Sequence, residues 1–273
     1  MALITLIRGG GDLASGVALR LFRAGLRVII TELPQPLLVR RTVAFAEAVY
    51  RGSCQVEGVT AVRASDLEQA LGCILSGRIP VLVDPQASIL ADPRLRRPAL
   101  ALVEARMTKT AVDTTLEAAD IVIGLGPGFV AGENCHAVVE TNRGHQLGRV
   151  IWKGAGEPDT GEPESPLSQG RSRVLRAPAE GIIQTRAEIG EHVEAGQVVA
   201  EVAGVPVAAP FGGVLRGLIH SGLRVSPGLK IGDVDPRDDP RFCYLVSDKA
   251  LAIGGGVLEA ILSTSKLRPY LWD

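Results

Sequence analysis

Residues 2–32 read ALITLIRGGGDLASGVALRLFRAGLRVIITE, and this stretch decides the fold. Residues 2–7 are a short apolar run that reads as a buried strand. Leu13, Val17, Leu21 and Ala24 then recur at helical spacing, with Val17, Ala18, Leu21 and Phe22 on one apolar face. Gly25 is placed to end that helix, and residues 27–31 supply a β-branched second strand. Strand, glycine loop, helix and strand make a βαβ unit of about 30 residues, for which parallel pairing and a right-handed crossover are expected.

Between the first strand and the helix, Gly9-x-Gly11-x-x-Ala14 fits the dinucleotide pattern G-x-G-x-x-G/A in its required context. The first glycine would make the turn, and the second would let backbone approach a pyrophosphate at the helix N-terminus. Gly9, Gly10, Gly11 and Ser15 are therefore candidate ligand contacts. Glu32 ends the second strand where an acid would bind a ribose hydroxyl pair. Asp12 departs from the pattern, because a carboxylate there repels phosphate unless it is paired. It could point away, or pair with Arg8 or a metal.

Further strands are predicted at 78–85, 119–129, 136–141 and 148–154, and helices at 37–49, 66–76 and 98–106. Residues 1–154 read as one Rossmann-like, parallel-sheet domain. A second glycine loop, Gly124-Leu125-Gly126-Pro127-Gly128, follows a predicted strand. Open α/β sheets bind ligands along the carboxyl edge, so Gly124, Gly126 and Gly128 could face the first loop across one cleft. A tight turn reads equally well.

Residues 155–172 are rich in Gly, Pro, Glu and Ser and read as a linker. Beyond them, 177–202 aligns with 209–234 at a constant offset of 32. Ala177-Pro178 matches Ala209-Pro210, Gly181 matches Gly213, and Gly190, Val193 and Gly196 match Gly222, Val225 and Gly228. Two copies of a short β-rich unit should pack about a pseudo-two-fold axis, since neither could bury its apolar face alone. The pattern, over residues 173–235, resembles the biotinyl/lipoyl-type barrel-sandwich hybrid. In carriers of that class a modified lysine sits between the halves. Here the joint is Val202-Ala203-Gly204-Val205-Pro206-Val207, without lysine, so a docking or lid role is expected instead of a swinging arm. The remainder, 236–273, reads as a C-terminal helical segment capped at Ser247-Asp248, with Leu251, Leu258 and Ile261 buried. Gly254-Gly255-Gly256 inside it requires either a break or something packed very close.

The chain has 273 residues, 46% of them hydrophobic and 22% charged, with net charge −1. The mixed charge and 4% aromatic content argue against nucleic acid. No apolar window reaches the roughly 18 residues of a membrane span. Four cysteines (Cys54, Cys73, Cys135, Cys243) without a CxxC pair fit a reducing cytoplasm. Lys109, Arg143 and His145 are the polar groups expected nearest the cleft, and Asp84 and Asp113 are candidate metal or general-base carboxylates, although Asp before Pro is commonly just a turn. Cys135 and His136 are adjacent on a strand and point to opposite faces, so a structural role is expected for the pair. No further Cys or His stands at zinc-ligand spacing.

RGGGDLASGVALRL, FAEAVYRG, IGLGPGF, VVETNRGHQLGRV, KIGDVDPR and SDKALAIGGGVLEAI occur in this order along the chain. The set resembles the YqeB family, associated with selenium-dependent molybdenum hydroxylases, and more distantly the xanthine dehydrogenase accessory proteins. The resemblance implies a cytoplasmic accessory or maturation protein. It would bind a molybdopterin-type cofactor or another nucleotide-like ligand, with a molybdenum hydroxylase as client. If cofactor sulfur or selenium is handled, Cys135 is the nearest thiol. One alternative is an NAD(P)-dependent oxidoreductase using His145 or Lys109 as acid. Another is a non-catalytic scaffold with empty glycine turns.

Overall fold

The computed structural model describes residues 2–107, 113–158 and 173–272. The chain divides into two compact units that are not contiguous in sequence. One comprises Met1–Pro36, Phe45–Asp159 and Val246–Asp273, and the other Leu37–Ala44 and Thr160–Leu245. The sequence reading kept 1–154 together and set 236–273 apart. The structure instead returns the C-terminal helix to the first unit and lends residues 37–44 to the second. From residue 159 onward, the expected linker lies outside the described residues.

The first unit is built on a nine-stranded mixed sheet. Its opening is as the sequence predicts: β1 (Ile4–Arg8), α1 (Asp12–Arg23) and β2 (Arg27–Glu32), with β1 and β2 parallel. Asp12 in the first turn of α1 and Arg20 and Arg23 in the last complement the helix dipole. Gly25, at φ +85°, ends the helix. Its amide donates to the Phe22 carbonyl and that of Leu26 to the Leu21 carbonyl, each at 3.0 Å, the paired bonds of a Schellman motif.

The strands that follow are β3 (Ser53–Val56), β4 (Val59–Ala64), β5 (Ile79–Val83), β6 (Leu100–Glu104), β7 (Ile121–Leu125), β9 (Ala137–Val139) and β10 (Val150–Ile151). A separate two-stranded ribbon joins β8 (Val130–Ala131) to β11 (Gly154–Ala155). The large sheet runs β10-β9-β7-β6-β1-β2-β5-β4-β3, with antiparallel pairing at the two outer pairs and parallel pairing between. From β1 the chain adds β2 beside it, passes to the edge hairpin β3–β4, fills the gap with β5, and then places β6 and β7 on the other side of β1. The boundary between β1 and β6 is thus the point where strand order reverses.

Two predicted helices are corrected. Residues 98–106 hold no helix but the strand β6 (Leu100–Glu104), every residue of which is buried. An unbroken apolar run bears no periodicity to separate buried strand from buried helix. Residues 37–49 form short 3₁₀ turns, Arg41–Val43 and Phe45–Glu47, leading into a four-residue α2 (Ala48–Arg51). The helix expected at 66–76 is α3 (Leu67–Leu75), capped by Asp66, which accepts the Gln69 amide.

The C-terminal α4 (Asp248–Ser263) runs unbroken through its three glycines, capped by Ser247. Close packing, not a break, accounts for two of them. A Cβ on Gly254 would meet the Gly16 carbonyl oxygen and the Arg20 side chain at 2.8 Å, and one on Gly256 would collide with the Gly148 carbonyl. Gly255 faces open space. Because glycines occupy the contact stripe, Ile253, Val257, Ala260 and Ile261 carry the buried face, with Leu251 and Leu258 only half-buried.

In the second unit the 32-residue offset becomes architecture. The strands are β12 (Val174–Arg176), β13 (Gly181–Thr185), β14 (His192–Val193), β15 (Val198–Val202), β16 (Val205–Ala208), β17 (Gly213–Leu218), β18 (Arg224–Val225) and β19 (Lys230–Asp235). They form two four-stranded sheets, β12-β19-β17-β14 and β16-β15-β13-β18. Adding one repeat to each strand of the first order (β12 to β16, β14 to β18) and subtracting one from the others yields the second. The halves exchange strands, so each sheet takes two strands from each repeat. Ile183, Val199 and Val202 are buried, as are their equivalents Leu215, Ile231 and Val234. The chain is thus a mixed α/β protein with additional antiparallel sheets and a C-terminal helix.

Candidate functional site

The three glycines of the opening loop do three different things. Gly9 has φ +97°, and a Cβ there would press on the Ala105 carbonyl at 3.1 Å, so it turns the chain tightly beside β6. Gly10 is packed between Ala46 and Ile30, at 2.9 and 3.1 Å from a built Cβ. A Cβ on Gly11 would meet nothing within 4 Å. Only the third glycine borders open space.

The loop is held by its own neighbours. The Gly10 amide donates to Glu32 Oε2 at 2.7 Å, and the Leu33 amide to Oε1 at 2.7 Å. Burial of Glu32 pushes its carboxyl pKa up, and these two backbone bonds only partly offset that. Ser15 is fully buried: its hydroxyl donates to the Gly10 carbonyl at 3.2 Å and accepts the Phe45 amide at 2.7 Å. Asp12 accepts the amide of Leu13 at 3.0 Å, so its carboxylate stands at the start of α1.

Next to this loop, at the strand-order reversal, lies an ionic cluster that contains Arg8 and the candidate carboxylate Asp113 and whose other members, Glu104 and Arg106, sequence reasoning missed. Arg8 ends β1 and Glu104 ends β6, directly paired in register. Arg8 Nη1 donates to Glu104 at 3.2 Å, to Asp113 at 3.0 Å and to Thr114 Oγ1 at 3.0 Å. Arg106 donates to Glu104 through Nε and Nη2, at 2.6 and 2.7 Å, and to Asp113. The hydrogen bonds from Arg106 and Arg8 hold the Asp113 carboxyl far below the usual carboxylate range. The available signal was a cation at the end of an otherwise apolar strand, immediately before the glycines.

The remaining candidates are placed as follows. Gly124 makes room for the Phe129 ring and Gly126, at φ +72°, for the Thr141 side chain, so those glycines are filled from within the protein. Gly128 has φ +96° and its carbonyl accepts from Asn134. Asp84 accepts from the Ser88 hydroxyl and the Ile89 amide, closing the turn after β5. Arg143 is paired in two contacts with Asp248 at the start of α4. His145 is exposed, and its carbonyl accepts from Arg149. Lys109 lies outside the described residues. Cys135 is fully buried, and burial pushes its thiol up to about 11, which leaves no thiolate at neutral pH. His136 Nδ1 accepts the Val122 amide at 3.0 Å, and burial lowers its pKa, as suits a neutral structural acceptor. Among the described residues no group of three His, Cys, Asp or Glu is arranged to hold a metal, and no helix is long and apolar enough to cross a membrane.

The second unit offers a recess of about 260 Å³ bordered by Arg176, Pro178, Ala208 and Pro210, two pairs related by the repeat. The β15–β16 turn, Ala203-Gly204, has φ of +51° and +78° and carries no lysine.

Fold and edge together define a mixed α/β protein whose candidate ligand site lies where strand order reverses. No family model matches the chain. An uncharacterized protein, YqeB of Escherichia coli (strain K12), is 47% identical over 259 residues, 95% of this chain and 47% of the relative. Over that shared region the chain belongs to the YqeB family, and it spans about half the length of this curated relative. Solved structures with some likeness include an aspartoacylase family protein from Mesorhizobium loti, 13% identical over 85% of this chain and 84% of that one, TM-score 0.27. The ectoine utilization protein EutE (DoeB) from Ruegeria pomeroyi is 10% identical over 85% of each chain, TM-score 0.26. Likeness at that level carries no inference about activity.

Proposed function

We propose that the chain binds a nucleotide-containing ligand at the carboxyl edge of a Rossmann-like sheet and serves as an accessory protein to a molybdenum hydroxylase. The observation that carries the binding half is the pairing of an open Gly11 with a Glu32 carboxylate anchored on the Gly10 amide. Each Glu32 oxygen uses one acceptor site on a backbone amide and keeps another for a ribose hydroxyl. A carboxylate there disfavours a ribose 2′-phosphate, so NAD or a molybdopterin dinucleotide fits better than NADP. The accessory role and the hydroxylase client rest on the family resemblance, with selenium as part of that context. A docking role for the second unit rests on its resemblance to barrel-sandwich hybrids, with which two sheets that each draw strands from both repeats are in keeping, and on a β15–β16 turn without the lysine of a carrier.

The oxidoreductase alternative calls on His145 or Lys109 as acid. His145 is exposed on a loop held to Arg149, which gives that reading no support.

The test is equilibrium binding of the purified chain to NAD, NADP, ATP, CTP and a molybdopterin dinucleotide, with Gly11→Val as control. A Cβ at Gly11 meets no protein atom within 4 Å, so the substitution obstructs a ligand lying against the loop and not the fold. Tight binding of one ligand, lost in the variant, is the expected result. No binding by any of them leaves a scaffold.

A further inference from the structure

We infer that Arg8 and Arg106 form the anion-holding part of this site, taking a phosphate or pyrophosphate group, and that Asp113 occupies the place of that group until a ligand displaces it. The inference rests on the nucleotide-type reading above and names where the ligand's phosphates go.

The usual phosphate position, the start of α1, is already spoken for. The Gly10 amide is bonded to Glu32 and the Leu13 amide to Asp12. Two carboxylates at that turn repel a phosphate. Arg8 ends β1 immediately before Gly9, and Arg106 follows β6, the strand on the other side of the strand-order reversal.

Arg8 is 4% exposed and Glu104 1%, whereas Asp113 is 51% exposed. Glu104 is therefore a fixed counter-ion, bonded to both arginines and to Thr114 Oγ1 at 2.7 Å. Asp113 is a half-solvated carboxylate that bridges both guanidiniums from outside, through Arg8 Nη1 and Nη2 at 3.0 and 3.3 Å and through Arg106. Two guanidiniums against two carboxylates balance. Take Asp113 away and one positive charge is left, with Arg8 Nη2 reduced to a single 3.5 Å contact with the Pro85 carbonyl. Arg8 Nε is buried with no partner at all, so the cluster holds more donors than its own acceptors satisfy. Phosphate oxygens accept from guanidinium forks in the same way as a carboxylate, with more charge and a third oxygen. Asp113 is the one member of the cluster that can leave without stranding a buried anion.

The experiment uses the full chain and inorganic pyrophosphate and phosphate as probes, measured by calorimetry beside the nucleotide panel. Asp113→Asn removes the competing charge and keeps the side-chain shape. Its affinity for pyrophosphate is expected to rise at least about tenfold, the scale of a displaced charge-assisted hydrogen bond. Arg106→Lys on that background keeps a cation but loses the fork, and the gain should disappear. An Asn variant that melts as a folded protein and binds pyrophosphate no better than the parent overturns the assignment. If a nucleotide binds, sensitive to Gly11→Val yet indifferent to Asp113→Asn, the arginine assignment fails and the nucleotide reading stands. If the Asn variant gains pyrophosphate while no nucleotide binds, the arginine assignment stands and the nucleotide reading fails.

Discussion

Gly16 of α1 and Ala250 of α4 are in backbone contact: a Cβ built on Gly16 would lie 2.6 Å from the Ala250 Cβ and 2.7 Å from its carbonyl oxygen. The two helices, 234 positions apart in sequence at this point, meet with no side chain between them on the α1 side.

This contact sets opposite signs for neighbouring substitutions. Gly16→Val and Gly256→Ala should destabilise the chain by about 1–3 kcal/mol, because the obstructing atoms are largely backbone and cannot rotate away. Gly255→Ala should stabilise it by up to about 1 kcal/mol, since that position is helical and open. Thermal unfolding of the variants decides the matter. Three changes of the same sign would show that α4 does not pack on its glycines.

Acid should act on the second unit through Asp235. Burial alone would raise this carboxyl, but the Arg237 and Arg216 guanidiniums outweigh burial and hold it at about 2. An unfolded aspartate titrates near 3.9. A folded-state pKa below the unfolded one contributes stability above the unfolded value, and that stability is lost as pH falls from about 4 through about 2. Unfolding free energy against pH should fall over that window in the parent and fall less steeply in Asp235→Asn, where Asp113 and Asp233 still contribute.

The thiols should be nearly silent in the native state. Cys73, Cys135 and Cys243 are buried and Cys54 is half-buried, with burial holding Cys54 and Cys135 up at about 11. Alkylation followed by mass spectrometry should label at most Cys54 in the folded chain and all four cysteines after denaturation. Fast labelling of Cys135 in the native protein would restore it as a reactive residue.

Ligand affinity should carry the signature of Glu32. Its carboxyl is raised by burial, so it protonates at a higher pH than the ordinary glutamate value of about 4.3. A protonated Glu32 loses acceptor capacity toward ribose hydroxyls. Affinity for a ribose-bearing ligand should therefore weaken on acidification before ordinary carboxylates titrate. In Glu32→Gln binding should be weak and flat with pH. Pyrophosphate affinity, held elsewhere in the site, should be indifferent to this substitution.

The βαβ opening was legible because each signal was local: an apolar run, helical spacing, and a glycine that only a left-handed position needs. The repeat was legible because two copies of one pattern label each other. Strand β6 was not, since 100–104 are buried on both faces and a residue buried everywhere shows no period. The membership of α4 in the first unit was equally hidden, as it depends on Gly16 meeting Ala250. At the site, Gly10 and Glu32 could be read from their places on one βαβ unit. Arg8 and Asp113 stood out singly, but their assembly with Glu104 and Arg106 did not, because a cluster gathered from the ends of β1 and β6 and the loop beyond has no spacing of its own.

The strand exchange in the second unit has a consequence for ancestry. A solenoid can lengthen or shorten by one repeat, because each copy leans only on its neighbours. Here each copy supplies half of both sheets, so a single copy would leave two incomplete sheets with open edges, and a third would find no sheet to join. Once the duplication had closed on itself, the number of copies was fixed at two, and the halves could drift apart in sequence while each kept a place for the other's strands.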